Sequence, residues 1–125
     1  MIGQARAAIE AAGERPVMLV GSSLGGFVAV HAAAADTTGR VAELVLLAPA
    51  FDLGDDRVFE DVARYDAFAL TLTLPIRIFQ GTADDTVLPA SVSSWAEGRP
   101  NVDITWLDDN HQLAASVETI VQAVF

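Results

Sequence analysis

Apolar positions along the chain switch repeatedly between two spacings. Over residues 2–12, Ile2, Ala5, Ala8, Ile9 and Ala12 recur every three or four positions, which predicts an amphipathic helix with one face turned inward. Gly13 supplies its stop. Val17-Met18-Leu19-Val20 then follows Pro16 and precedes Gly21. A short unbroken apolar run between such flanks predicts a strand buried on both faces. From Leu24 to Ala35 the pattern is helical again and rich in alanine.

The alternation continues to the last residue. Leu44-Val45-Leu46-Leu47 predicts a second buried strand, followed by Pro49 and the acidic loop at Asp55 and Asp56. Residues 58–69 predict a helix, with Val58, Val62, Tyr65 and Phe68 on one side. Ile76-Arg77-Ile78-Phe79 is the third strand, residues 89–97 a short helix, and Val102 to Leu107 the fourth strand. Leu113 to Phe125 closes as a helix whose apolar positions include Val117, Ile120, Val121 and Val124. Strands joined through helices run parallel with right-handed crossovers, and a parallel sheet needs helices on both faces. The predicted fold class is therefore α/β, a parallel sheet of about four strands flanked by helices, in one domain spanning residues 1–125. In such sheets the reactive groups gather beyond the C-terminal ends of the strands.

Composition narrows the function mainly by exclusion. With 52% hydrophobic and 19% charged residues, the chain is globular, and 125 residues suit one core better than two. No apolar run reaches the roughly 18 to 20 residues of a membrane span, and residues 1–13 lack the pattern of a signal peptide. The absence of cysteine removes disulfide and thiol chemistry and suits a cytoplasmic protein. Net charge is −10, with no lysine at all, so nucleic acid and anionic membranes are not expected partners. The acidic surface fits either solubility or adaptation to high salt. His31 and His111 stand too far apart in sequence to suggest metal-ligand spacing, and a Walker-type phosphate loop lacks its lysine. No metal or other cofactor is expected.

The strand ends carry the chemistry. Directly after the first strand, Gly21-Ser22-Ser23-Leu24-Gly25-Gly26 matches G-x-S-x-G. Alone the match is a weak signal; its position between a buried strand and an alanine-rich helix strengthens it. The serine of such an elbow sits in a strained strand-to-helix turn, and Gly21 and Gly25 are expected to permit the close backbone approach. Its hydroxyl stands beside a helix N-terminus, where free N–H groups and the helix dipole favour an oxyanion. After the third strand comes Gln80-Gly81-Thr82-Ala83-Asp84-Asp85, and after the fourth Asp108-Asp109-Asn110-His111-Gln112. A carboxylate here could orient a histidine and stabilise its cation, or could be only a solvated turn acid. All three segments fall at one edge of the sheet, in the order serine, acid, histidine.

The elbow around Ser23, the Gly81-x-x-Asp84-x-x-Val87 segment and the Asp109-Asn110-His111 loop together resemble the α/β-hydrolase superfamily, in its serine esterase and thioesterase-like members. The resemblance covers essentially the whole chain and implies Ser23 as nucleophile, Asp84 as orienting acid and His111 as general base. It further implies the backbone N–H of Leu24 as one oxyanion donor. The expected substrate is a small ester or thioester, cleaved through an acyl-enzyme; a peptidase or an acyltransferase could use the same triad. Asp85 and Asp52 compete with Asp84, although the family's glycine-to-aspartate spacing favours Asp84. Ser22 reads as a residue of the turn, His31 as structural, and Trp95 and Trp106 as packing. Asp108 and Asp109 could simply solvate their loop. Phe51 could line an acyl pocket or belong to the core.

The chain departs from the family at its start. Members are commonly about twice as long, with strands and a second oxyanion loop before the elbow, and here Met1 opens the helix just upstream of it. Two expectations follow. The apolar 17–20 strand becomes a sheet edge and favours self-association, and loss of one oxyanion donor, about 3 to 4 kcal/mol in other serine enzymes, slows turnover. If no turnover remains, the chain is a binding or assembly module. Residues 51–75 leave room only for a minimal lid, so an open site and a small soluble acyl substrate are expected.

Overall fold

The computed structural model describes residues 1–52 and 67–125. In chain order the elements are α1 (Ile2–Ala11), β1 (Val17–Ser22), α2 (Leu24–Ala35), β2 (Val41–Leu47), β3 (Ile76–Gly81), α3 (Pro89–Ala96), β4 (Val102–Leu107) and α4 (Val117–Val124). One-turn 3-10 helices occupy Ala67–Ala69 and Ala114–Ser116. The four strands form one parallel sheet in the order β1-β2-β3-β4, so the α/β class read from the sequence holds. The helix expected over residues 58–69 lies outside the described residues except for its last turn.

Register explains the apolar runs. Leu44 lies beside Leu19 and Ile76, and Leu46 beside Gly21 and Ile78, so side chains alternate between two covered faces. One face carries Leu44, Leu46, Ile76 and Ile78 against Ile9 of α1, Phe27 and Val30 of α2, and Val92 and Trp95 of α3. The other carries Val45 and Phe79 against Leu113 and Ile120, with Met18, Leu47 and Val124 at its margin. Leu44, Leu46, Ile78 and Val30 are all fully buried, and each such side chain contributes about 1.5 to 3 kcal/mol through burial. Arg77 interrupts the apolar second face. Its guanidinium bonds Glu43 of β2 and the Ala123 carbonyl at the end of α4, where a cation suits the helix dipole.

Several boundaries differ from the sequence reading. β1 and β3 run on through Ser22 and Gly81, because backbone pairing with β2 and β4 continues after the apolar side chains stop. The closing helix is shorter than expected: Leu113 adopts a left-handed φ of 55°, and a 3-10 turn intervenes before α4. Trp106, read as packing, lies 42% exposed on β4. Among the described residues β1 pairs only with β2 and forms an edge, where Val20 is 51% exposed. A cleft of about 190 Å³ runs from there along α4, lined in part by Val20, Leu47, Val117, Val121 and Phe125. Among the described residues no helix is long and apolar enough to cross a membrane.

Candidate active site

β1 delivers the chain to Ser23 in a conformation that only a braced residue keeps. Ser23 has φ 52° and ψ −114°, a region that costs a non-glycine residue about 1 to 3 kcal/mol. Three backbone hydrogen bonds hold it there. Its N–H donates to Leu47 O at 2.8 Å, and its carbonyl accepts from Gly26 N at 3.0 Å and Ala50 N at 2.9 Å. The side chain makes no capping bond to α2, so the hydroxyl is left to face the sheet edge. Leu24 is the first residue of α2, and its N–H belongs to the end of the helix that has no intrahelical acceptor.

The glycines of this elbow are not equivalent. A Cβ on Gly21 would stand 2.3 Å from Gly25 O and 2.8 Å from Gly26 N, so strand and helix meet there without room for a side chain. Among the described residues, a Cβ on Gly25 would meet nothing within 4 Å, so the close approach expected of both glycines is seen at Gly21 and not at Gly25. Gly26, absent from that reading, takes the tight position: its Cβ would lie 2.7 Å from Pro49 Cβ.

His111 reaches Ser23 across the sheet. Its Nε2 lies 3.0 Å from Ser23 Oγ, 88 positions away in sequence, and its Nδ1 lies 2.8 Å from Asp84 Oδ2. With Nδ1–H donating to the carboxylate, Nε2 is free to accept the serine proton. Asp84 is 3% exposed. Its Oδ1 accepts the backbone N–H groups of Thr86 at 2.9 Å and Val87 at 2.8 Å. Burial pushes the carboxyl up, but the hydrogen bonds from His111, Val87 and Thr86 outweigh it and hold Asp84 below its ordinary value. Asp52, Asp85 and Asp108 are exposed.

The two loops that carry acid and histidine are clamped together. Ala83 N donates to Asp109 O at 3.0 Å, and a Cβ on Gly81 would stand only 2.4 Å from that same oxygen. Asp109 does more than solvate its loop. It accepts Ser116 Oγ–H at 2.8 Å and the Asn110 N–H at 2.8 Å, the first of these chiefly holding its carboxyl below the ordinary value. Ser116, which sequence reasoning missed, thereby ties the histidine loop to the start of α4. No local signal marks it, since its partner is seven positions away.

The remaining candidates fall outside this chain of bonds. Of the two readings of Phe51, its surroundings are those of the core: it is 2% exposed, with its ring stacked on that of Trp95 at a centroid distance of 4.0 Å. His31 is 2% exposed beside Phe27, with ring centroids 4.2 Å apart, in keeping with a structural role. Ser22 is exposed at the end of β1. A partly buried Ser-His-Asp chain of hydrogen bonds, aligned at the C-terminal edge of a parallel sheet beside a helix N-terminus, can activate a hydroxyl and stabilise an anion next to it.

Residues 2–123 match the model of an alpha/beta hydrolase family, and the chain belongs to that family. No curated protein sequence matches it. Among solved structures it resembles a protein assigned as a hydrolase from Agrobacterium vitis S4, with TM-score 0.80 and 22% identity, over 98% of this chain and 65% of that one. A protein assigned to the alpha/beta hydrolase superfamily from Xanthomonas campestris pv. campestris gives TM-score 0.74 and 26% identity, over 98% and 62%. A monoacylglycerol lipase from Paleococcus ferrophilus gives 0.76 and 17%, over 98% and 71%. The chain thus spans less than two thirds of the first two of these relatives. The family match and these neighbours together show the alpha/beta-hydrolase fold.

Proposed function

We propose that the chain is a serine hydrolase that cleaves small esters or thioesters through an acyl-enzyme. One observation carries the reading: the hydrogen bonds from Ser23 Oγ to His111 Nε2 and from His111 Nδ1 to Asp84 Oδ2, at 3.0 and 2.8 Å. In this mechanism Ser23 Oγ attacks the carbonyl carbon as its proton passes to His111 Nε2. Asp84 keeps the ring in the tautomer that accepts at Nε2 and stabilises the resulting cation. The oxyanion develops beside the first N–H groups of α2, Leu24 among them. His111 then protonates the leaving alcohol or thiol, and the carbonyl re-forms as an ester on Ser23. Water attacks that ester, gives its proton to His111, and the acid departs as the proton returns to Ser23.

The test is intact mass after exposure to a fluorophosphonate, beside Ser23→Ala, followed by hydrolysis of p-nitrophenyl acetate and a short acyl thioester. A single adduct and ester turnover in the wild type, both lost in the variant, are expected. A folded wild type that takes no adduct would overturn the reading and leave a binding or assembly module, a role that the relatives' greater length keeps in view.

A further inference from the structure

The mechanism leaves one polar side chain in the site unused. Gln80, on β3, is completely buried. Its Nε2 is surrounded by three acceptors: Asp84 Oδ2 at 3.1 Å, Gly81 O at 3.2 Å and Val87 O at 3.2 Å. These acceptors fix the amide's orientation, since the reverse rotamer would set its oxygen against three others. Its own Oε1 is buried and has no hydrogen-bond partner among the described residues. An unpaired buried carbonyl is unfavourable, so packing alone gives no reason for a glutamine here over an apolar side chain of the same length.

Asp84 Oδ2 is therefore shared between two donors, His111 Nδ1–H and Gln80 Nε2–H. With Thr86 and Val87 on Oδ1, four donors hold the carboxylate. Beside the bond to His111, the Gln80 contact is the side-chain hydrogen bond made to Oδ2. We infer that Gln80 is a positioning residue, which orients Asp84 and draws off part of the charge that Asp84 presents to His111. A hydrogen bond donated to a carboxylate disperses its charge. Without it, Oδ2 faces the imidazole alone and holds a proton on the ring more tightly, which hinders transfer to a leaving group.

Among the described residues, the groups bonded to the His111 ring are Asp84, from the β3–α3 loop, and Ser23, at the start of α2. Asp109, on the same loop as His111, is engaged by Ser116 and the Asn110 N–H; Asp52, Asp85 and Asp108 are exposed. The kinetic consequence of Gln80 rests on the serine-hydrolase reading; its effect on the ring does not.

The experiment follows the His111 ring by NMR through a pH titration in the wild type, Gln80→Met, Asp84→Asn and the double variant. Only one other histidine is present, and His111→Asn identifies the signal. Methionine keeps the length and apolar volume but donates nothing, and Gln80→Leu is the substitute if circular dichroism finds the Met variant unfolded. Gln80→Met should raise the midpoint by about 0.5 pH unit, a proton held about threefold more tightly. In the Asp84→Asn background the same replacement should move it by less than about 0.1 unit, because the effect runs through Asp84. In the wild-type background kcat should fall about tenfold with KM little changed, and the acid limb of kcat/KM should move to higher pH. An unchanged midpoint in folded Gln80→Met, or equal shifts in both backgrounds, would overturn the inference. A shifted midpoint in a chain that neither takes the fluorophosphonate nor turns over ester would support Gln80 and sink the hydrolase reading instead.

Discussion

The two glycines of the elbow motif should behave oppositely. Replacing Gly21 by alanine sets a Cβ 2.3 Å from Gly25 O and 2.6 Å from Gly25 C, against a floor near 3.0 Å for such contacts. The obstacle is backbone, so no rotamer relieves it, and β1 and α2 must part by about 0.7 Å or more. β1 cannot yield cheaply, because Gly21 pairs with Leu46 and the Ser23 N–H is bonded to Leu47 O. Overpacking of this kind costs about 3 kcal/mol, and the displacement falls on the residue between the two elements, Ser23. Gly25→Ala adds a methyl that meets none of the described residues, within the first turn of a helix, where alanine is favoured over glycine by about 1 kcal/mol. The variants should thus differ by about 4 kcal/mol. With a urea slope of about 1.5 kcal/mol/M, their unfolding midpoints should lie 2 to 3 M apart at unchanged slope. Phosphonylation of Ser23 should be lost in Gly21→Ala and kept in Gly25→Ala. A Gly21→Ala midpoint within about 0.3 M of wild type, or equal destabilisation of both variants, would refute the steric argument.

Three further outcomes are expected. Gly81→Ala drives a Cβ toward Asp109 O, 2.4 Å away, and should separate the acid loop from the histidine loop; a shift of about 1 Å there should lower kcat about a hundredfold while circular dichroism stays native. Because the native Asp84 carboxyl is held below its ordinary value, the unfolded chain takes up the proton first as pH falls. The stabilisation it gives is complete above about pH 5 and is lost progressively below about pH 4, so Asp84→Asn should flatten the fall of urea stability with acid, and parallel curves would contradict this. Finally, the apolar edge at Val20 and the cleft along α4 should make this chain self-associate at micromolar concentration, with Val20→Lys restoring a monomer; light scattering that finds a monodisperse wild-type monomer would exclude it.

Burial patterns were legible in the sequence where side chains report them. Leu44 to Leu47 and Ile76 to Phe79 read as strands because their neighbours on both faces are apolar. Gly21-Ser22 and Gln80-Gly81 did not, although they pair as regularly, because ladder hydrogen bonds require no apolar side chain. Val41 to Glu43 was missed at the start of β2, where Glu43 is explained by Arg77 on the next strand. Ser23, Asp84 and His111 were readable because each follows a strand at the same sheet edge. Gln80, Ser116 and Gly26 were not, since each acts on something that only the fold brings near: the Asp84 carboxylate, the Asp109 carboxylate and Pro49. Phe51 was ambiguous because an aromatic at a strand end looks the same whether it lines a pocket or stacks on Trp95.

Ser23 follows β1 at one border of the sheet and His111 follows β4 at the other, 88 positions apart in sequence. Closing so long a loop is unfavourable until β2 and β3 already bridge the gap. On the proposed mechanism, a chain in which β4 has not yet paired with β3 therefore carries an unactivated serine. On that mechanism, reactivity toward a carbonyl requires the fourth strand to be docked, because His111 follows it. If the proposed mechanism holds, labelling of Ser23 would accordingly count finished molecules rather than collapsed ones.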